Sequence, residues 1–280
     1  MRKVKELGDI TGAVSSYMNK GVLTNNFIMP EKYQTYINSG TLYYEETGKL
    51  LVVLIDFQNH WRVYYHIRER DGEIELPKDK PSVIELVYKT QNEALRDQLV
   101  YWEGRGFKPY ISRARMNGSA SAIIEKTGET GHNLKYSEAD TADEIQQIIS
   151  EAFDPYLGCV PSINEVREYI RNKEIIVVQA PEGKILGVLH TGSKNNTNFV
   201  WHLVVTPEAR GRGLAKSLLN YYARSIEVNN KNCNDVTIQT RNARIQLWVK
   251  KDNVGARALY EAAGFTYDGW ESIGFVNYHM

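Results

Sequence analysis

Arg210-Gly211-Arg212-Gly213-Leu214-Ala215 sets two glycines and two cations directly between a hydrophobic segment and an amphipathic one. Glycine lacks a Cβ, so the backbone at 211 and 213 can come close to a ligand. The amphipathic segment, residues 214–228, has helical periodicity, and a helix start offers unpaired N–H groups and the positive end of its dipole. That combination suits a pyrophosphate, and Lys216 adds a third cation. The segment is not a dinucleotide fingerprint, since Gly-x-Gly-x-x-Gly is absent, nor a P-loop, since no Gly-Lys-Ser/Thr follows. Taken alone, an Arg-Gly-Arg-Gly run is more often a plain basic loop. The strand-turn-helix setting and a second segment downstream favour the phosphate reading.

The second segment is Leu-Trp-Val-Lys-Lys-Asp-Asn-Val-Gly-Ala-Arg-Ala-Leu-Tyr-Glu-Ala-Ala-Gly-Phe, residues 247–265. A strand ends near Lys251, and Asp252 or Asn253 caps the following helix. Ala256, Leu259, Tyr260 and Ala263 form its apolar stripe. Gly264 stops the helix and Phe265 starts the next strand.

These residues carry a resemblance. Residues 210–215 are similar to the Arg/Gln-x-x-Gly-x-Gly/Ala signature of the GNAT superfamily of acyl-coenzyme A transferases. Residues 253–265 resemble its second motif, Asn-x-x-Ala-x-x-Leu-Tyr-x-x-x-Gly-Phe. The resemblance covers about residues 131–280 and implies the GNAT fold, an α/β arrangement of a mixed, mostly antiparallel sheet flanked by helices. It implies acetyl-CoA as co-substrate, gripped by Arg210, Gly211, Arg212, Gly213, Leu214, Ala215 and Lys216. It further implies that pantetheine adds like a strand to the backbone of Leu203, Val204 and Val205. Asn253 would touch the cofactor, cap its helix, or both. Tyr260 would point its hydroxyl at the sulfur; a phenol is protonated at neutral pH and can donate to a thiolate.

The base is where this chain departs from the family. Its frequent position falls near Phe199 or Trp201, and neither can accept a proton. Strand alternation sets His202 on the face opposite Trp201 unless a bulge re-aims it. His190 is a second candidate, and a water chain a third. The acceptor is expected at residues 153–159, where Asp154 could pair with a cationic amine and Tyr156 pack on it. A solvated aspartate beside a proline turn is the simpler reading. Trp201 would wall the acceptor pocket or fill the core.

Around these residues the chain reads as an α/β alternation. The expected elements are a strand at 134–137, helices at 143–153 and 163–172, a hairpin of 175–179 with 184–191, and a strand at 199–205. One or two strands follow within 236–249, and closing strands from 265. The N-terminal half reads as a worn copy: Trp102-Glu-Gly-Arg-Gly-Phe107 lines up with Tyr260-Glu-Ala-Ala-Gly-Phe265, after a strand at 82–88 and a helix at 93–103. No glycine-rich turn lies between Ile67 and Ser82, so this copy lacks a cofactor site; an unrelated α/β extension is the alternative. The division expected is a degenerate domain at 1–120, a polar linker at 121–132 and the transferase domain at 133–280.

A formal net charge of zero argues against a broad nucleic-acid or membrane footprint. No secretory leader is expected, and no run of eighteen apolar residues occurs. Cys159 and Cys233 are isolated thiols, which points away from a disulfide framework and a thiol nucleophile; no metal is expected. The expectation is a cytoplasmic N-acetyltransferase, monomer or homodimer, acting by direct attack of a small-molecule or protein amine. The alternatives are a non-catalytic acyl-CoA binder, a protein-interaction module, or a transferase of longer acyl groups.

Overall fold

A computed structural model of the chain describes residues 1–89, 93–128, 131–194, 197–231 and 243–279. Its contacts divide into two compact units, Met1–Ser112 with Trp270–Met280, and Arg113–Gly269.

The first unit holds β1 (Arg2–Lys3), α1 (Leu7–Tyr17), β2 (Leu23–Thr24), α2 (Pro30–Asn38), β3 (Leu42–Glu46), β4 (Leu50–Asp56), β5 (Trp61–Ile67), β6 (Ser82–Tyr88) and α3 (Glu93–Glu103). Its strands lie in the order β1-β3-β4-β5-β6, with β2 also on β5. The unbroken apolar run of β4 follows from its place in the middle. Leu50, Val52 and Leu54 pack with Trp102 and Phe107, whereas Leu51, Val53 and Ile55 pack with Ile10 and Tyr33. A strand covered on both faces has no polar side to show.

The second unit takes most of β7 (Lys108–Ser119), then α4 (Ala120–Thr127), β8 (Leu134–Tyr136), α5 (Ala142–Ala152), α6 (Ile163–Arg171), β9 (Ile175–Gln179), β10 (Ile185–Lys194), β11 (Thr197–Val205), α7 (Leu214–Lys231), β12 (Arg244–Lys250) and α8 (Val254–Ala262). The sheet order is β7-β12-β11-β10-β9-β8. One face packs Ile176, Val178, Leu189, Val200 and Leu247 against α4, α7 and α8. The other packs Ile175, Val177, Ile185 and Val188 against α5 and α6. Ser162 starts α6 through a capping box with Glu165.

The last strand, β13 (Thr266–Asn277), begins in the second unit and ends in the first, where it pairs antiparallel with β6 from Glu271↔Tyr88 to Asn277↔Ser82. Residues 113–119 of β7, in turn, pair antiparallel with β12 in the second unit. Each half of the sequence thus gives its closing strand to the other unit's sheet, so the division is not a single cut near residue 120. The stretch expected as a linker at 121–132 holds α4 instead. Ser119 caps it by accepting from Ala122 N, and Ile123 is fully buried. Gly118 serves close packing: a Cβ there would lie 3.2 Å from Ile123 Cδ1 and 3.3 Å from Phe265 Cδ1.

The proposed repeat has matching corners. Phe107 N donates to Trp102 O at 3.1 Å, and Phe265 N donates to Tyr260 O at 2.9 Å. Gly106 has φ +81° and Gly264 has φ +92°, a conformation that favours glycine. Cys233 and residues 236–242 of the segment expected to hold one or two strands lie outside the described residues. Among those described, no helix is long and apolar enough to cross a membrane.

Candidate acyl-transfer site

Parallel strands β11 and β12 pair only from Asn198↔Ile245 to Val200↔Leu247. Past that point residues 201–205 have no ladder partner on this edge among the described residues. Their other edge stays on β10 as far as Gly187↔Val205. The sheet therefore opens into a wedge along Leu203, Val204 and Val205, where β12 no longer pairs with β11 and the Val205 carbonyl accepts from Arg210 Nε. A bulge sits at its apex: His190 pairs with His202 and Thr191 with Val200, leaving Trp201 as the extra residue. Leu203 and Val205 pack on the α7 side, while the bulge re-aims His202 to the α5–α6 side.

The free edge runs into the turn at 210–213. Gly211 and Gly213 both have φ +77°, and a Cβ on either would meet nothing within 4 Å. The turn is thus glycine for its backbone conformation, which costs other residues about 1–2 kcal/mol, and protein atoms leave its surface open. Arg210 Nε donates to Val205 O at 3.3 Å, and Arg212 Nη2 donates to Glu208 O at 3.1 Å. Lys216 makes no ion pair among the described residues. Leu214, Ala215 and Lys216 open α7, and helix geometry leaves their N–H groups without a carbonyl. His132, which the sequence did not single out, reaches this turn: its Nδ1 lies 2.7 Å from Ser217 Oγ, which donates to Gly213 O.

Tyr260 stands on α8, in the core shared with α7, with its ring edge-on to Phe265 at 5.7 Å. It is 8% exposed. Its hydroxyl has no hydrogen-bond partner among the described residues, and burial pushes the phenol above its usual value. It is therefore a protonated donor with no acceptor among the described residues. Asn253 Oδ1 accepts from Ala256 N at 3.0 Å, which makes it the cap of α8.

On the other face, His202 Nε2 donates to Gly158 O at 2.8 Å, and His190 and His202 meet Nδ1 to Nδ1 at 3.0 Å. Since His202 donates through Nε2, its Nδ1 accepts the His190 proton. Both rings are buried and neutral. Burial and the neighbouring ring bring His190 down to about 3, and burial lowers His202. His202 is thus brought next to the expected acceptor loop, with both nitrogens engaged. Asp154 Oδ1 accepts from Tyr156 N and Leu157 N at 3.0 and 2.8 Å, so it shapes the loop. Tyr156 is half-buried. Arg113 Nη1 ties the loop to β7 by donating to Leu157 O at 2.9 Å.

Trp201 is 49% exposed and stacks on Phe199 at 4.9 Å. Gly192 lets it lie flat, since a Cβ there would come within 2.6 Å of the indole Nε1. On β12 the same face carries Trp248 and Lys250, opposite Arg115 and Arg113 of β7. Both guanidiniums lie over the Trp248 ring, at 5.9 and 6.0 Å. Arg115 also pairs with Asp268 at 2.8 Å. The alternation Arg-x-Arg in β7 was visible in the sequence, but its pairing with β12 was not. No group of histidines, cysteines or carboxylates among the described residues is arranged to hold a metal.

Residues 171–267 match the family model described as acetyltransferase (GNAT) domain, and this part of the chain is such a domain. The chain is similar in fold to a GCN5-related N-acetyltransferase from Sphaerobacter thermophilus, at 12% identity and TM-score 0.56, over 99% of this chain and 94% of that one. It is also similar to a tandem GNAT protein from the clavulanic acid biosynthesis pathway, at 11% identity and TM-score 0.56, over 84% and 83%. A probable N-acyltransferase from Enterococcus faecalis matches at 9% identity and TM-score 0.57, over 98% and 71%.

Proposed function

We propose that the chain is an acyl-CoA-dependent N-acyltransferase that moves an acetyl group from acetyl-CoA to a primary amine, with the chemistry in its second unit. The observation that carries this reading is the unpaired edge of β11 running into the double-glycine turn. A pantetheine arm can add to that edge as a strand would, and a pyrophosphate fits the open turn and the first N–H groups of α7. The residues present therefore fit acyl-CoA, which supplies an activated thioester. Leu203, Val204 and Val205 would hold the arm, and residues 210–216 the phosphates. Asn253 fixes the start of α8 and with it the position of Tyr260.

The amine nitrogen forms the new C–N bond as the C–S bond breaks, and the sulfur leaves with the electron pair. Tyr260 Oη donates its hydrogen bond to that sulfur. The amine proton leaves to water; His202 stands beside the acceptor loop, but its Nε2 proton is donated to Gly158 O and its Nδ1 accepts from His190, so it orients the loop and takes no proton. The open face bearing Trp201 would receive a small-molecule or protein amine, with Asp154 and Tyr156 shaping the loop above it. The first unit reads as a degenerate copy: it keeps the corner, but Trp102 stands in the tyrosine's place. A cytoplasmic monomer or homodimer with no nucleic-acid partner belongs to the same proposal.

Thiol release from acetyl-CoA in the presence of an amine panel tests this. Amine-dependent release supports transfer. Cofactor binding without release for any amine would leave the non-catalytic binder as the reading.

A further inference from the structure

Resting on that reading, we infer that the first unit's counterpart of the acyl-CoA slot is filled by the chain's own residues 23–26. This strap stands where the second unit leaves room for the pantetheine arm, and it makes the first unit a closed scaffold with no acyl-CoA site of its own. The two units share one plan. β5 and β6 run parallel and pair only at Trp61↔Ser82 and Arg62↔Val83, just as β11 and β12 pair only from Asn198↔Ile245 to Val200↔Leu247. α3 follows β6 as α8 follows β12. An antiparallel strand from the other half of the sequence then closes each sheet, β13 on β6 and β7 on β12. Past Arg62 the first wedge opens as the second does, but its edge is taken. β4 covers one edge of β5 along its whole length, so β2 lies antiparallel on the other, with Leu23 opposite Ile67 and Thr24 opposite His66. Adding a strand to this edge is how a pantetheine arm would bind it.

The residue after β2 locks the strap. Asn25 is 6% exposed, and its Nδ2 donates to Val63 O at 3.1 Å and to Glu85 O at 3.2 Å, while its Oδ1 accepts from Tyr65 N at 2.9 Å. One side chain thus bridges β5 and β6 just beyond the end of their ladder. Thr24 Oγ1 donates to Tyr65 O at 2.6 Å, and Asn26 Nδ2 donates to His66 Nε2 at 3.1 Å. Leu23 joins the core cluster of Trp102, the residue in the tyrosine's place. The strap belongs to the connection between α1 and α2; in the second unit the matching connection, between α5 and α6, carries the expected acceptor loop. A cofactor could enter the first wedge only by expelling residues 23–26 and stripping these buried groups of their partners, which is costly.

Residue-resolved hydrogen exchange on the full chain, with and without acetyl-CoA, tests the inference. The Tyr65 amide should exchange slowly in both states, and residues 23–26 and 61–67 should not respond to acetyl-CoA. Residues 203–205 and 210–216 should gain protection when it is added. Asn25→Ala should lower the thermal midpoint by at least about 5 °C and leave the acetyl-CoA Kd unchanged. Asn25→Asp, which sets an oxygen against Val63 O and Glu85 O, should lower the midpoint no less. Fast exchange at Tyr65 in the free chain, protection gained at 61–67 with acetyl-CoA, or Asn25→Asp as stable as the parent would each overturn the inference and leave the transferase reading standing. The parent's exchange decides the matter even if neither variant folds. No gain at 203–216 would instead strike the transferase reading, and with it the claim that the strap fills a cofactor slot.

Discussion

Tyr260→Phe separates stability from chemistry, because the hydroxyl bonds to nothing in the described protein. A buried tyrosine that loses a hydrogen bond costs about 1 kcal/mol. Here there is none to lose, and the ring keeps its place against Phe265. The thermal midpoint should therefore stay within about 2 °C of the parent. The effect on rate is different. A phenol titrates near 10 and an aliphatic thiol near 8.5, and burial raises Tyr260 further. Full proton transfer to the departing thiolate is uphill, so the stabilisation is that of a charge-assisted hydrogen bond. At about 1.5–3 kcal/mol, its loss lowers kcat about 10- to 150-fold. The acetyl-CoA Kd should change less than threefold, because the thioester sulfur carries no charge before the bond breaks. Calorimetric melting, titration of the cofactor and initial rates on the same preparation read all three. A kcat within threefold of the parent removes Tyr260 from the acid role, and a midpoint lowered by more than about 4 °C would reveal a structural partner.

Gly158→Ala should raise the acceptor KM several-fold while sparing acetyl-CoA binding. Its Cβ would lie 2.4 Å from Asp154 O and 2.8 Å from Asp154 N, so the loop must shift and pull Gly158 O off His202; unchanged acceptor kinetics would refute this. The His190–His202 pair makes stability pH-dependent. Because the folded pKa of His190 is depressed to about 3, its contribution is complete above pH 6.5 and falls as pH drops toward 3. That loss comes to about 2 kcal/mol by pH 5. Urea midpoints across pH 4–8 should show the slope, and His190→Leu should remove its share; an unaltered slope in that variant would assign the effect elsewhere. Gly213→Ala should weaken acetyl-CoA binding at least tenfold, since the strained φ costs about 1–2 kcal/mol and the methyl group stands where phosphate must approach; direct titration checks it.

The elements around the chemistry were legible because their signals are local. Ser162 with Glu165 marks one helix start and Gly264 one helix end, and the double-glycine turn announces itself between strand and helix. What was hidden depends on pairing across long stretches of chain. Nothing local tells that Glu271 will lie beside Tyr88, so the exchange of closing strands could not be read. The polar residues at 121–132 read as a linker, yet a helix occupies Ala120–Thr127 and buries Ile123 against the core. The face of His202 turned on one bulge residue, Trp201, and alternation alone sets His202 opposite Trp201. The cationic side of the open face escaped notice because Arg113 and Lys250 meet only through the register of β7 with β12.

The most direct test is isothermal titration of acetyl-CoA into the full chain and into Gly213→Glu. The full chain is required, because a fragment starting at residue 131 lacks the strand that pairs with β12. One binding site per chain is expected in the parent. None is expected in the variant, where a carboxylate at a φ of +77° would crowd the turn and repel phosphate. No heat of binding in the parent, or equal affinity in the variant, would contradict the assignment of the glycine turn as the cofactor site.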